Sequence, residues 1–205
     1  MHCLPAPPNS DMPTSLLSSP RKNAPRVTLV LSFRERWSLT LVVIEAIVRH
    51  SPQPYRLWLL DTGMPAALRT AIDARRADWG LDLVTLPPDL WPSQARAEVA
   101  RQIDTPYAVF IDNDVLVQPG WLEALLACAD ETGAGIVGPL YLWGEDADSD
   151  LIHMAGGELM IRQEGTRTVM GERHRRINTR IGELKEPLRR QACDFAEFHC
   201  MLMRR

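Results

Sequence analysis

The sequence contains no run of about 18 consecutive apolar residues, which is the length that a membrane-spanning helix requires. Its N-terminus also lacks the basic stretch and apolar block of a secretory signal. The formal net charge of the 205-residue chain is −3, so there is no basic excess of the kind that nucleic-acid-binding proteins carry. We therefore expect a soluble protein without a transmembrane segment and without a nucleic-acid partner.

Closely paired cysteines, which are typical of zinc sites and of disulfide-rich domains, are also missing. The four cysteines are Cys3, Cys128, Cys193 and Cys200, and they are scattered along the chain. We interpret them as reduced thiols in a cytoplasmic protein. Peripheral attachment to a membrane, through another part or a partner, is an open alternative.

The glycine motif of dinucleotide-binding proteins is absent as well. No Gly-x-Gly-x-x-Gly follows the first predicted strand, where residues 32–36 read Ser-Phe-Arg-Glu-Arg. This absence argues against a Rossmann-type dinucleotide or methyl-donor enzyme.

What the sequence does contain is an alternation of strand and helix patterns. Apolar runs of strand length cover residues 26–33, 55–60, 81–86, 107–111 and 136–142. Most of the segments between them carry apolar residues at helical spacing, with Ser38 and Ser93 as predicted N-caps and Gly80 as a predicted C-terminal cap. The alternation predicts a three-layer α/β/α Rossmann-like domain over residues 26–205, with a mainly parallel sheet.

Three segments depart from this pattern. Residues 1–25 hold six of the chain's 16 prolines among small polar residues, which predicts a flexible leader. Residues 152–161 are predicted to form a strand interrupted by glycines. Residues 162–190 are poor in apolar residues and rich in arginine, which predicts a solvated surface loop. A basic loop that closes over an anionic ligand is the alternative.

The most informative stretch is the apolar run that ends in Asp112-Asn113-Asp114. In extended geometry the two aspartates project to the same side, and ligand sites of open α/β sheets lie at the carboxyl ends of strands. Paired carboxylates there suit Mg²⁺ or Mn²⁺ together with a diphosphate. The alternative is that the triplet only begins a turn.

In its order of motifs, the chain resembles the family 2 glycosyltransferases, which are nucleotide-sugar enzymes of the GT-A fold. The matching residues are Val27 to Phe33, Leu59-Leu60-Asp61, Phe110 to Asp114, Pro119-Gly120-Trp121-Leu122, Gly138-Pro139 and Phe198 to Arg205.

The resemblance implies metal-assisted, inverting transfer of a sugar from a UDP- or GDP-linked donor to an acceptor hydroxyl of a saccharide, lipid or protein. It implies Asp112 and Asp114 as ligands of Mn²⁺ or Mg²⁺. The residues expected to bind the nucleotide sugar are Ser32, Arg34, Asp61, Arg96, Asp112 and Asn113. For Arg96, a solvated helix face is the alternative.

One feature of the family is missing from the sequence. Inverting members carry a carboxylate base beyond the strand that here ends at Arg205, and the acidic motif is absent. Asp194 and Glu197 are the substitute base candidates, although either could instead face solvent or cap the strand. His153 and His199 are expected to be structural.

We therefore expect the chain to be the donor-binding half of a longer enzyme. The alternative is a noncatalytic nucleotide-binding or interaction domain derived from a glycosyltransferase.

Overall fold

The computed structural model describes residues 24–33, 36–52, 54–88, 90–144 and 149–205. Residues 1–23 of the predicted leader therefore lie outside the described residues. So does Arg34, which is predicted to bind the nucleotide sugar. In the described part of the chain, every helix is too short or too polar to cross a membrane.

The first part of the domain alternates strands and helices as the sequence predicts. In chain order the elements are β1 (Val27–Ser32), α1 (Thr40–His50), β2 (Arg56–Asp61), α2 (Ala66–Asp73), α3 (Arg76–Trp79), β3 (Leu81–Thr85), α4 (Pro92–Ala100), β4 (Tyr107–Asp112) and α5 (Trp121–Thr132). The predicted α/β fold class is confirmed, since helices connect the parallel strands β1 to β4.

The second part consists of shorter strands. They are β5 (Ile136–Val137), β6 (Tyr141–Trp143), β7 (Leu151–Met154), β8 (Gly157–Glu164), β9 (Arg167–His174) and β10 (Cys200–Arg204). The predicted single strand at 136–142 is wrong: β5 and β6 belong to different sheets. Pro139 lies between them, and proline cannot donate a hydrogen bond to a strand ladder.

The prediction of a loop throughout residues 162–190 is also wrong. Its first part completes an antiparallel hairpin of β8 and β9, in which Glu164 pairs with Arg167. Most residues of this hairpin are exposed, so it lacks the alternation of apolar and polar residues that identifies a half-buried strand.

The main sheet has the strand order β3-β2-β1-β4-β10-β5, and β10 is antiparallel to both of its neighbours. The chain runs outward from β1 to β3 on one side and then returns to place β4 on the other side of β1. The carboxyl ends of β1 and β4 therefore form the topological switch point, which is where ligands bind in open α/β sheets.

Apolar side chains cover both faces of this sheet. Helices α1, α2, α3 and α5 pack on one face, with Ile44, Ile72, Trp79 and Leu122 among the buried residues. Helix α4 packs on the other face through Ala95 and Val99. This gives the predicted three layers and fixes α4 beneath the end of β4.

The helix caps differ in part from the predicted ones. Helix α4 begins at Pro92, one residue before the predicted cap Ser93, because proline lacks an N–H and suits the first helical position. Ser38 lies in a 3₁₀ turn ahead of α1 instead of capping it. Gly80 ends α3 with a φ of 61°, as predicted.

Replacement of Gly157 by alanine tests how closely the start of β8 packs against Phe195. A Cβ atom at Gly157 would lie 2.5 Å from the ring atoms Cε1 and Cζ of Phe195. We expect Gly157→Ala to lower the free energy of unfolding by about 1–3 kcal/mol, as overpacking does, measured by urea denaturation. Gly182→Ala is the control, because a Cβ there meets nothing within 4 Å. Equal stability of the two variants would contradict the packing described here.

Candidate functional site

Polar residues end three neighbouring parallel strands. Ser32 ends β1, Asp61 ends β2 and Asp112 ends β4, and Ser32 is the register partner of Asp112. All three are buried. The apolar strands thus deliver polar groups to the switch point, at the place where the sequence predicts a ligand site.

The carboxylate of Asp112 is almost completely buried, with 1% of the residue exposed. One oxygen, Oδ1, pairs with the guanidinium of Arg96 on α4. The other, Oδ2, lies 3.2 Å from Nδ1 of His199, and the backbone N–H of Asp112 donates to the carbonyl of His199 at 2.9 Å. The carboxylate therefore joins α4, β4 and the segment before β10.

Arg96 is buried, with 8% of the residue exposed, and its guanidinium lies 4.9 Å from the centre of the Phe198 ring. The alternative of a solvated helix face is therefore wrong. The structure gives Arg96 a partner within the protein, and its predicted contact with a nucleotide stays a prediction.

Asn113 ties the end of β4 to the start of α1. Its backbone N–H donates to the carbonyl of Ser32 at 3.0 Å, and its side-chain amide donates to the carbonyl of Arg36 at 3.0 Å and to Thr40 Oγ1 at 3.1 Å. These bonds fix the backbone just before Asp114. Asn113 acts here as a positioning residue, and its predicted contact with the nucleotide sugar is untested.

The Asp-Asn-Asp triplet forms a turn, since the N–H of Val115 donates to the carbonyl of Asp112 at 3.2 Å. The expectation that both aspartates lie in extended backbone is wrong, because the strand ends at Asp112. The turn leaves the carboxylates of Asp112 and Asp114 in different surroundings. It does not exclude either of them as a cation ligand.

Asp114 is half-buried and forms no hydrogen bond or ion pair with the residues that the structure describes. Mg²⁺ and Mn²⁺ bind one or two carboxylates together with waters and phosphate oxygens. Asp114 fits this donor set, and the already paired Asp112 can support it from behind.

Asp61 and Ser32, which are also predicted to bind the nucleotide sugar, differ in their hydrogen bonding. The carboxylate of Asp61 accepts hydrogen bonds from the N–H groups of Gly63 at 3.0 Å and Met64 at 2.8 Å, and it pairs with Arg69. The hydroxyl of Ser32 is buried and has no partner among the described residues. A buried hydroxyl without a partner is uncommon and fits a group that a ligand would satisfy.

The two base candidates lie in different surroundings. Asp194 is exposed, and its carboxylate accepts a hydrogen bond from the N–H of Leu159 at 2.9 Å, so it holds its segment to β8. Glu197 lies beside His199, whose Nε2 is 3.3 Å from Glu197 Oε2. His199 therefore connects Glu197 to Asp112.

Three histidines surround the carboxylate of Glu197. His153 Nε2 lies 2.8 Å from Oε2 and His174 Nε2 lies 3.4 Å from Oε1, in addition to His199. His174 is not predicted from the sequence to belong to this group, because it ends β9 inside the segment predicted as a loop. Only the pairing of β8 with β9 brings it here, and no short motif signals that pairing.

Tyr141 fixes the backbone at Glu197. Its hydroxyl lies 2.8 Å from the carbonyl oxygens of both Glu197 and Cys200 and shares its proton between them. Burial raises the pKa of Tyr141 far above its ordinary value. Burial also raises the pKa of the Cys200 thiol to about 12, so this cysteine is protonated at neutral pH and is not a nucleophile.

The sequence profile of Glycosyl transferase family 2 matches residues 28–205. The chain belongs to that family. The match includes the switch point, the Asp-Asn-Asp turn and the strand β10, so the resemblance noted from the sequence is confirmed. No curated protein matches this family 2 chain.

Solved structures of glycosyltransferases share the fold. The Staphylococcus aureus TarS 1-349 structure has a TM-score of 0.54 and 12% identity, covering 87% of this chain and 47% of that one. The TarS structure in complex with UDP-GlcNAc has a TM-score of 0.53 and 12% identity, covering 63% and 38%. The Pyrobaculum calidifontis mannosyltransferase PcManGT, in complex with GDP-Man and Mn²⁺, has a TM-score of 0.50 and 18% identity, covering 60% and 39%. The chain thus spans less than half the length of these solved structures.

Removal of Arg96 tests the buried ion pair. We expect Arg96→Met to lower the free energy of unfolding by about 3–5 kcal/mol, because it leaves the Asp112 carboxylate buried without its cation. The double variant Arg96→Met/Asp112→Asn should recover part of this loss. Both are measured by urea denaturation.

Arg56→Met is the matched control. Arg56 pairs with Asp104 at 2.6 Å where the two side chains are 39% and 61% exposed, and such solvent-accessible pairs contribute about 0–1 kcal/mol. A loss at Arg96 no larger than the loss at Arg56 would show that the buried pair does not stabilise the fold.

Proposed function

We propose that this family 2 chain binds a UDP- or GDP-linked sugar at the carboxyl ends of β1, β2 and β4. In the proposed reaction the sugar passes to an acceptor hydroxyl of a saccharide, lipid or protein, with inversion at the anomeric carbon and with help from Mn²⁺ or Mg²⁺. The family and the fold support transfer from a nucleotide sugar. The complexes of the neighbours with GDP-Man and Mn²⁺ and with UDP-GlcNAc support the donor class.

The observation that carries the proposal is the half-buried carboxylate of Asp114, which has no partner among the described residues and lies at the switch point. The neighbours of Asp114 are held in place by contacts within the protein. Asn113 hydrogen-bonds to Arg36, and Asp112 contacts Arg96 and His199. In this proposal Asp114 is the principal cation ligand, and Asp112 supports it.

Each residue then has a defined task. Asp114, supported by Asp112, would hold the cation that binds the donor diphosphate, and the buried Ser32 hydroxyl and Asp61 line the nucleotide end of the site. A divalent cation bound there would neutralise the negative charge that grows on the diphosphate as the glycosidic bond breaks. Because protein groups hold these side chains in place beforehand, little reorganisation is needed during the reaction.

The acceptor hydroxyl requires a base, and the two candidates are not equivalent. Glu197 is linked to Asp112 through His199, whereas Asp194 is exposed and binds the backbone of β8. Glu197 is therefore the base that we propose. Proton transfer requires contact with the acceptor, so this role remains a prediction.

One observation favours a second candidate function, a noncatalytic nucleotide-binding domain. Both oxygens of Glu197 already contact histidines, so the carboxylate is not free to meet an acceptor. The two functions differ in turnover, because only an enzyme releases UDP or GDP from the donor faster than water does.

Calorimetric titration of UDP and GDP, with and without Mn²⁺, tests the donor site. We expect Mn²⁺-dependent binding of one nucleotide that falls by more than about tenfold in Asp114→Asn, because the amide removes the anionic ligand of the cation. The control is Asp82→Asn, an exposed residue of the edge strand β3, which should bind as the unaltered chain does. Equal nucleotide binding by both variants, or nucleotide binding that is independent of Mn²⁺, would contradict the proposal.

A further inference from the structure

Three of the chain's five histidines meet around Glu197, although they come from separate parts of the sequence. His153 lies on β7, His174 ends β9, and His199 lies in the turn before β10. The donor site described above uses only His199. Glu197 is the proposed base, whereas the imidazoles of His153 and His174 on either side of its carboxylate have no assigned task.

The ligand atoms of His153, His174 and Glu197 have the spacing of a metal site. One nitrogen of each histidine and a carboxylate oxygen all lie within 4.8 Å of one another. In a tetrahedral zinc site with ligands about 2.1 Å from the ion, neighbouring ligand atoms lie about 3.4 Å apart. His153 Nε2 lies 2.8 Å from Oε2 of Glu197 and His174 Nε2 lies 3.4 Å from Oε1, so both imidazoles approach the carboxylate at distances near this spacing.

The ligand set is that of a transition metal. Two imidazoles and one carboxylate bind Zn²⁺ with a fourth position open to water, and imidazole selects Zn²⁺, Co²⁺ or Ni²⁺ over Mg²⁺. The carboxylates of Asp112 and Asp114 have the opposite preference. The two places are also separated in space, because the ring of His199 lies between Asp112 and Glu197.

The site is partly open to solvent. The side chains of His153, His174 and Glu197 are 12%, 18% and 24% exposed, so an ion can enter without unfolding. His174 also lines a surface cleft with Arg173 and Arg175. Both arginines pair with Glu158, and these hydrogen bonds lower the pKa of that carboxyl. The local positive charge that would oppose a cation is therefore partly neutralised.

We propose that His153, His174 and Glu197 bind one transition-metal cation such as Zn²⁺, at a site separate from the diphosphate site at Asp114. The proposal does not depend on the glycosyltransferase function. It has one consequence for that function: a carboxylate that ligates a cation cannot at the same time serve as the free base, so a loaded site and the base role of Glu197 exclude each other.

The test is titration of the nucleotide-free chain with Co²⁺ and with Zn²⁺, in the presence of excess Mg²⁺ to occupy oxygen sites. We expect one Co²⁺ to bind, with the visible absorption of a four- or five-coordinate ion, and Zn²⁺ to displace it. Calorimetry with Zn²⁺ alone gives the affinity.

Variants distinguish Zn²⁺ binding at this site from Zn²⁺ binding by other residues of the chain. His174→Ala and Glu197→Gln should each weaken Zn²⁺ binding by more than about tenfold. Asp114→Asn, His50→Ala and Cys193→Ser should leave it unchanged, because they alter the diphosphate site, a histidine of α1 and an exposed thiol. Circular dichroism before each titration shows whether a variant is folded, and the two ligand variants are independent of each other.

Three results would overturn the proposal. One is the absence of Co²⁺ and Zn²⁺ binding to the unaltered chain. The second is unchanged affinity in a folded His174→Ala or Glu197→Gln variant. The third is loss of binding in Asp114→Asn or Cys193→Ser, which would place the ion at the diphosphate site or on a thiol.

Discussion

The buried carboxylate of Asp112 is the constraint on which the site depends. A buried charge is costly unless it is paired and hydrogen-bonded, and here Arg96 and His199 supply the partners. Each partner comes from a different element: Arg96 from α4, beneath the sheet, and His199 from the segment that precedes the antiparallel strand β10. Satisfying this one group therefore fixes how three parts of the chain meet.

Two chemically different places result from this arrangement. On one side of Asp112 the chain turns, and Asp114 is left without a protein partner among the described residues. On the other side the imidazole of His199 reaches Glu197, around which His153 and His174 gather. Oxygen ligands on one side and mainly nitrogen ligands on the other favour different cations. The same buried pair thus supports the proposed diphosphate site and a separate histidine cluster.

The sequence predicted the part of this arrangement that depends on local pattern. Strands β1, β2 and β4 are apolar runs that end in a polar residue, and the alternation with helices predicts their parallel order. The strand positions and the fold are confirmed. Asp112, Asp114 and Asp61 were found for this reason, although their ligand roles are still predictions.

The features that the sequence does not predict depend on contacts between distant residues. Arg96 is expected from the sequence to bind the nucleotide sugar, but its ion pair with Asp112, 16 residues later, follows only once α4 is placed beneath β4. His174 lies in a hairpin whose exposed strands carry no apolar alternation, and it meets Glu197 through strand pairing alone. Periodicity describes single elements, so it does not report which side chains distant elements bring together.

The central claim is that Asp114 is the ligand through which a cation and a nucleotide diphosphate are bound. The most direct test is a crystal structure of the chain with Mn²⁺ and UDP or GDP, in which anomalous scattering locates the manganese. We predict a manganese peak against the Asp114 carboxylate, in contact with the diphosphate, at the carboxyl ends of β1 and β4. A bound nucleotide with manganese elsewhere, such as beside His153 and His174, or no nucleotide at this edge of the sheet, would contradict the account.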